Sequence, residues 1–188
     1  MKKCLILLTA LFLSGADLQA QNQGDKILVA YFSWSGNTRA IAEQIQKETG
    51  GDIFEIKTVK TYPKEYRATT DEAKKEQNEN ARPALSGKVN DMDSYNVIFL
   101  GYPNWWGTIP MALFTFLESY NFEGKTIIPF CTHGGSAFGN SIRDIKKLCP
   151  KSKMLDGLAI NAGSVKTSQG NVTAWLKKIG MLKQGVQK

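Results

Sequence analysis

The chain has 188 residues, of which 42% are apolar and 22% charged, a composition typical of one globular domain and not of a disordered or fibrous protein. Its formal net charge is +7, but the Lys and Arg residues are scattered, and no zinc-finger spacing or RNA-binding signature accompanies them. We therefore expect no nucleic-acid partner.

The first twenty residues, 1–20, have the layout of a secretory signal peptide. A basic start, "MKK", precedes the apolar stretch "CLILLTALFL" and the small-residue exit "SGADLQA". The apolar stretch is too short to span a bilayer comfortably, so the alternatives, an uncleaved anchor or a misassigned start codon, are less favoured. Cleavage after Ala20 would leave residues 21–188 as a single domain without stable membrane insertion. We expect this domain to be exported, to the periplasm or another extracytoplasmic space.

Short apolar runs alternate with longer amphipathic stretches through the rest of the chain. In chain order, strands are predicted in "KILVAYF", "DIFEIKTV", "YNVIFLGY", "KTIIPFCTH" and "MLDGLAI". Helices are predicted in "TRAIAEQIQKETGG", "IPMALFTFLESY", "GNSIRDIKKLC" and "NVTAWLKKIGML", and Gly50–Gly51 is the stop signal of the first. This alternation predicts a three-layer, doubly wound α/β fold with helices on both faces of a parallel sheet.

Residues 60–95 interrupt the alternation with a polar, highly charged segment. Its middle, "KEYRATTDEAKKEQNEN", can form a solvent-exposed helix, and the remainder is predicted to be a long surface excursion after the second strand. Loops of this length commonly have a functional role or are mobile. The segment is therefore the place where a substrate cover is expected.

The loop "SWSGNT" follows the first strand, at the edge where ligands of open α/β sheets bind. Ser33, Ser35, Asn37 and Thr38 all carry side-chain donors, and Gly36 allows close approach of the backbone. The helix beginning near Thr38 adds free N–H groups, so the loop predicts a phosphate cradle without a charged residue. The alternative is a plain helix N-cap, which needs only one such residue. Neither a G-x-G-x-x-G nor a G-K-[ST] motif is present.

Two further loops, after the third and fourth strands, are also unusual in composition. "GYPNWWGTIP" carries Trp105 and Trp106, which could stack on a planar aromatic ligand or fill the gap under the excursion. "CTHGGSAFGNS" is glycine-rich, and its backbone N–H groups could bond the polar edge of a flat heterocycle. His133 is the only histidine, which excludes a histidine metal cluster, and no metal site is predicted.

Together the three motifs resemble those of the flavodoxin family, in the branch whose members carry "YFSWSGNT", "GYPNWWGTIP" and "PFCTHGGSAFGNS" type motifs. The resemblance covers roughly residues 25–180. It implies a five-stranded parallel sheet of order 2-1-3-4-5 and FMN as a non-covalent cofactor. The implied phosphate ligands are Ser33, Trp34 (through its backbone), Ser35, Gly36, Asn37 and Thr38. The implied neighbours of the isoalloxazine ring are Tyr62, Pro103, Asn104, Trp105, Trp106, Gly107, Thr132, His133, Gly134, Gly135 and Phe138.

The resemblance implies a redox protein, either an electron carrier or an FMN-dependent NAD(P)H oxidoreductase. Its partner would be a redox protein or a small aromatic acceptor such as a quinone. Members of the family are typically acidic and cytoplasmic, whereas this chain has a pI of about 9.3 and an export signal, so its carrier partner is expected to differ. The alternative is a degenerate flavodoxin-fold binding protein without flavin.

Hydrolytic chemistry is disfavoured by the residues of the third loop. A Ser136–His133 hydrolase lacks the G-x-S-x-G pattern, because Phe138 occupies the position of the last glycine. A phosphatase built on Cys131 would need an arginine where Ala137 stands. Cys131, near the top of the fourth strand, and Cys149, at the far end of the next helix, are about ten helical residues or roughly 15 Å apart. That separation is beyond disulfide reach, so two free thiols are expected.

Overall fold

One parallel sheet organises the structure, a computed structural model that describes residues 24–182. The strands are β1 Ile27–Tyr31, β2 Asp52–Glu55, β3 Val97–Pro103, β4 Thr126–His133, β5 Lys153–Met154 and β6 Leu158–Asn161. The helices are α1 Asn37–Thr49, α2 Tyr66–Asn78, α3 Met111–Glu118, α4 Ser141–Leu148 and α5 Gln169–Lys178. Short 3₁₀ segments lie at Met92–Ser94 and Ala162–Thr167. The predicted signal peptide lies outside the described residues.

The strand order is β2-β1-β3-β4-β5, with β6 also paired to β4. This confirms the predicted doubly wound topology. Helices α1 and α5 cover one face, where Ile45 and Trp175 are buried in a common cluster. Helices α3 and α4 cover the other face and bury Phe116 and Ile145. The central strands are apolar along their whole length because both of their faces are covered in this way.

The ends of the helices follow the sequence signals. Helix α1 ends at Gly50, whose left-handed backbone (φ 74°) lets its N–H bond the carbonyl of Gln46. Helix α3 begins directly after Pro110, where a missing N–H costs nothing. Gly101 in β3 has a different role, because a Cβ on it would overlap the ring of Phe130 in the adjacent strand. That glycine leaves room for the Phe130 ring to lie over β3.

The outermost strand differs from the single run predicted for residues 154–160. Thr126 pairs with Lys153, but Phe130 pairs with Leu158, so one extra residue is inserted between β5 and β6. The carbonyl of Pro129 faces this gap, since a Cβ on Gly157 would lie 2.6 Å from it. The N–H that a proline lacks would point to the same side, so the ladder is interrupted where no donor exists.

The predicted helix within the 60–95 segment is present as α2. The carboxylate of Glu65 caps its start. It accepts hydrogen bonds from the backbone N–H groups of Arg67, at 2.9 Å, and Ala68, at 2.6 Å. The helix buries only Thr69 and Ala73, so it is a lightly packed cover. The end of the segment is tied to α3 by a two-pronged pair between the Arg82 guanidinium and Glu118, at 2.6 and 2.8 Å.

Cys131 and Cys149 are both buried and free, as expected from their places in the fold. Burial raises the pKa of Cys131 to about 12 and that of Cys149 to about 11. Among residues 24–182, no helix is both long and apolar enough to cross a membrane.

Candidate functional site

The three loops singled out in the sequence meet at the carboxyl edge of the sheet. The hydroxyl oxygens of Thr38 and Thr132 lie 2.8 Å apart, joining the first loop to the end of β4. Pro103, the last residue of β3, pairs with Thr132, and the N–H of Asn104 donates to the Thr132 carbonyl at 2.8 Å. Hydrogen bonds therefore hold residues from all three loops together.

The first loop presents the start of α1 to an open point. Gly36 takes a left-handed conformation (φ 89°) at the N-cap, the N-cap residue itself has no side chain to cap the helix, and a Cβ there would meet nothing within 4 Å. Ser33 accepts a hydrogen bond from the N–H of Arg39 at 3.3 Å, and Ser35 is exposed. Asn37 is the first helical residue, and the first turn carries no acidic side chain. A helix start with glycine at the N-cap and neutral donors around it favours an anion.

The side chains of Thr38 and Trp34 form hydrogen bonds with other parts of the protein. Thr38 is only 1% exposed, and its hydroxyl is already paired with that of Thr132, beneath the loop. The indole N–H of Trp34 donates to the carbonyl of Pro63 at 2.8 Å. The side chain of Trp34 therefore ties the excursion to the first loop.

The second loop contains a tight two-residue turn. Trp105 and Thr108 exchange backbone hydrogen bonds of 2.9 and 3.1 Å, with Trp106 (φ 49°) and Gly107 (φ 80°) between them. Positive φ at both central positions is the type I′ turn, for which glycine is favoured and a bulky residue is unusual. Trp106 is therefore held in a strained conformation at the edge of the candidate site.

The two indole rings point in different directions, and both contact the 60–95 segment. Trp105 packs edge-on against Tyr62 at 5.0 Å and Phe32 at 5.3 Å. Trp106 is 51% exposed, and its indole N–H donates to the carbonyl of Thr70 in α2 at 2.9 Å. Ring separations of this size are direct contacts, so Tyr62 and Trp105 form one wall and no flat ring lies between them. Phe32 was not singled out in the sequence, although it is the last apolar residue before "SWSGNT".

Tyr62 is anchored from the excursion. Its hydroxyl donates to Glu76 of α2 at 2.7 Å, and burial, together with this bond to a carboxylate, raises the pKa of the phenol far above its usual value. Burial also raises the pKa of the Glu76 carboxyl. Behind Tyr62 lies a cavity of about 340 Å³ that reaches Pro83. Glu76 gave no signal in the sequence, because it is one of several carboxylates in a polar helix.

The third loop is folded on itself and on the second. His133 accepts a hydrogen bond from the N–H of Gly135 at 2.9 Å through Nδ1, which turns its ring toward its own loop. The ring of Phe138 reaches the outer strand, since a Cβ on Gly157 would lie 2.7 Å from its tip. The N–H groups of the loop remain near the surface, because Gly134 and Gly135 are exposed.

Asn104 joins the second and third loops through its side chain. Its amide nitrogen donates to the carbonyl of Ala137 at 2.6 Å, while its amide oxygen is buried and has no hydrogen-bond donor. The N–H of Asn140 donates to the carbonyl of Gly107 at 2.7 Å and closes the same junction. A buried acceptor without a donor is rare in native proteins, and an ordered water or a ligand N–H would satisfy it.

The ionisable groups near these loops are few. The Cys131 thiol, with a pKa raised to about 12 by burial, points at the carbonyl of Ala137 at 3.3 Å. Within the described residues, no group of three or more His, Cys, Asp and Glu side chains is placed to hold a metal ion. The loops offer neutral hydrogen-bond donors and aromatic surface, which suit binding and orienting a ligand.

Comparison with known proteins gives a consistent result. A family model described as Flavodoxin matches residues 26–179. A candidate flavoprotein from Bacteroides eggerthii DSM 20697 is 35% identical, with a TM-score of 0.73, over 82% of this chain and 98% of that one. A similar protein from Bacteroides uniformis ATCC 8492 is 33% identical, with a TM-score of 0.72, over 82% and 99% of the two chains. A flavoprotein from Lactobacillus acidophilus NCFM, solved in complex with FMN, is 22% identical, with a TM-score of 0.65, over 76% and 97%. The comparison with curated proteins finds no match.

Proposed function

The chain belongs to the flavodoxin family, and from this we propose that it binds FMN and acts as a redox protein. Its role would be to carry electrons or to reduce a small aromatic acceptor. When bound, FMN supplies the redox chemistry, and the protein binds it, orients it and shields it from water. The solved neighbours from Lactobacillus acidophilus and Fusobacterium nucleatum were obtained with FMN bound, which supports the choice of cofactor.

The observation that carries the proposal is the start of α1 at Gly36, where the N-cap residue has no side chain. A phosphate there would receive backbone N–H groups and the hydroxyls of Ser33 and Ser35, with the positive end of the helix dipole behind them. The nearest cation, the guanidinium of Arg39, is paired with Glu55. The cradle therefore relies on neutral donors, which hold a dianion without a competing ion pair.

The second and third loops fit the ring of the same cofactor. The buried amide oxygen of Asn104 needs a donor, and an isoalloxazine ring carries one N–H between two carbonyl groups. The exposed backbone N–H of Gly134 offers a donor for one of those carbonyls, whereas the N–H of Gly135 donates to His133. Trp105 supplies an aromatic wall that excludes water.

One observation favours the alternative, a flavin-free binding protein. The aromatic wall is packed without a ligand, because edge-on contacts join the rings of Phe32, Tyr62 and Trp105. A protein that had lost flavin binding could keep this cluster for stability alone.

The two readings are separated by comparing FMN with riboflavin, which lacks the phosphate. The chain from residue 21 is purified, and the quenching of flavin fluorescence is titrated with each compound. We expect FMN to bind and riboflavin to bind far more weakly. The double variant Ser33→Ala, Ser35→Ala should weaken FMN binding by about tenfold to a hundredfold for each hydrogen bond lost to the charged phosphate. Its affinity for riboflavin should be unchanged.

The matched control is Ser86→Ala, which removes an exposed hydroxyl that belongs to none of the three loops. Failure of the folded wild-type protein to bind either flavin would reject the redox proposal and support the flavin-free protein. Equal affinity for FMN and riboflavin would reject the phosphate cradle while keeping a flavin site.

We also propose that the protein works outside the cytoplasm, on the signal-peptide pattern of residues 1–20. Fractionation of cells that express the full chain, followed by mass measurement, tests this. A mature protein that starts near residue 21 in the exported fraction is the expected result, and an intact chain in the cytoplasm would reject it.

A further inference from the structure

Positive charge is concentrated in the last part of the described chain. Residues 24–133 carry twelve Lys and Arg against fourteen Asp and Glu, a net of −2. Residues 134–182 carry eight Lys and Arg against two Asp and Glu, a net of +6. The positive charge of the described protein therefore resides on the α4, β5–β6 and α5 side of the sheet, while the side with β2 and α2 is nearly balanced.

Helix α4 brings part of this charge next to the candidate site. Arg143, Lys146 and Lys147 are exposed and, with Gly139 and Ile142, line an open concavity of about 550 Å³. Gly139 belongs to the third loop, so the concavity is continuous with that loop. At about 1.5 Å of rise per residue, all three basic residues lie within ~10 Å of the start of the helix, measured along its axis.

The internal structure of the protein leaves the cations of this concavity largely unused. The Asp144 carboxylate accepts a hydrogen bond from the hydroxyl of Thr108 at 2.7 Å and contacts Arg143 at 3.1 Å with its other oxygen. Among residues 24–182, Lys146 and Lys147 have no ion-pair partner. Asp144 therefore fixes α4 to the second loop, and two lysines remain free around the apolar side chain of Ile142.

We propose that this surface, defined by Gly139, Ile142, Arg143, Lys146 and Lys147 and called the α4 surface, docks an acidic redox protein against the third loop. A small apolar centre with charged residues around it is the usual anatomy of a transient protein interface. Complementary charge would guide the partner to the loop edge and raise its rate of association. The inference rests on the proposed function, and it specifies the partner as an acidic protein.

A protein partner fits the geometry better than a membrane. Lys177 and Lys178 lie on α5, and α4 and α5 pack on opposite faces of the sheet. A flat anionic surface could not contact both helices at once, whereas a compact acidic patch can fill the α4 concavity alone.

The test uses the FMN-loaded protein, reduced anaerobically with dithionite, and two haem proteins of opposite charge as acceptors. One electron passes from the reduced flavin to each ferric haem, and stopped-flow absorbance follows the haem. With the acidic soluble domain of cytochrome b5 we expect a rate constant that falls as salt is added. With basic cytochrome c we expect no such fall.

The diagnostic variant is Arg143→Gln, Lys146→Gln, Lys147→Gln. It should lower the low-salt rate with cytochrome b5 by about tenfold or more, the size of effect that electrostatic guidance gives. The matched control, Lys166→Gln, Lys177→Gln, Lys178→Gln, removes the same charge elsewhere and should change the rate less than about twofold. Equal losses in the two variants, or no loss in the first, would overturn the α4 surface.

Two further measurements distinguish the other outcomes. FMN affinity is measured in every variant, so that failure of the cofactor site is seen separately. If no FMN binds, calorimetric titration of the flavin-free protein with cytochrome b5 still tests the docking surface. Sedimentation with phosphatidylserine vesicles is the last arm, and binding that is lost in the α4 variant but not in the control would replace the protein partner with a membrane.

Discussion

The hydroxyl pair between Thr38 and Thr132 predicts a specific pattern of stability in single and double variants. The two side chains are 1% and 4% exposed, and their oxygens are 2.8 Å apart. Replacing either threonine with valine keeps its shape but leaves the other hydroxyl buried without its partner, at a cost of about 1–3 kcal/mol. Replacing both removes both polar groups, and the double variant should lose no more than about 1 kcal/mol.

Urea unfolding of the flavin-free protein provides the measurement, with Thr38→Val, Thr132→Val and the double variant compared at one temperature. The expected coupling energy is about 1 kcal/mol or more, above the error of such a cycle. Additive losses, or two neutral single variants, would refute the buried pair. The same three variants also test the contact between Thr38 and the FMN phosphate. If Thr38 binds the phosphate, FMN affinity should fall in Thr38→Val and in the double variant but not in Thr132→Val.

Three other changes test separate parts of the structure. Gly101→Ala should destabilise the protein by about 3 kcal/mol, because the new Cβ overlaps the ring of Phe130, and thermal unfolding should show a midpoint about 6 °C lower or more. Burial raises the pKa of Cys131 to about 12 in the folded state, so the free energy of unfolding should be constant below about pH 9 and fall as the pH rises toward 12. In Cys131→Ala, the urea midpoint of unfolding should fall less steeply over the same pH range. An equal slope in the variant would mean that other groups, such as the buried tyrosines, account for the fall. Trp106→Asn should relieve about 1 kcal/mol of backbone strain in the turn but lose the hydrogen bond to Thr70 in α2. We therefore expect little change in global stability but faster limited cleavage by trypsin within α2. Unchanged cleavage would contradict the anchoring role of Trp106.

The strands and helices could be predicted because each carries a local signal, whereas the strand order was implied only by the resemblance to the flavodoxin family. Continuous apolar runs identify the central strands, and the proline before α3 and the glycine after α1 set helix ends by their own backbone chemistry. The outer strand could not be predicted in the same way. Its interruption depends on Pro129 in the neighbouring strand, so a pattern confined to residues 154–160 gives no sign of it.

In the candidate site, too, features set by neighbouring residues could be predicted and features set by distant residues could not. The helix start at Gly36 is local, and "SWSGNT" indicated it directly. The partner of the Thr38 hydroxyl is 94 residues away, and the directions of the two indole rings depend on contacts with α2. The composition of the second loop left both a stacking role and a filling role open for the tryptophans. The structure shows that both rings touch the excursion, and the ligand contacts remain a prediction.

The interrupted outer strand also limits what can be added to the sheet. A free edge with a long, regular row of N–H and C=O groups invites a strand from another molecule. Here β5 has two residues and β6 has four, and the extra residue between them breaks their alignment. No incoming strand can follow both pieces in one register. The interruption opposite Pro129 therefore protects this edge against strand-by-strand aggregation.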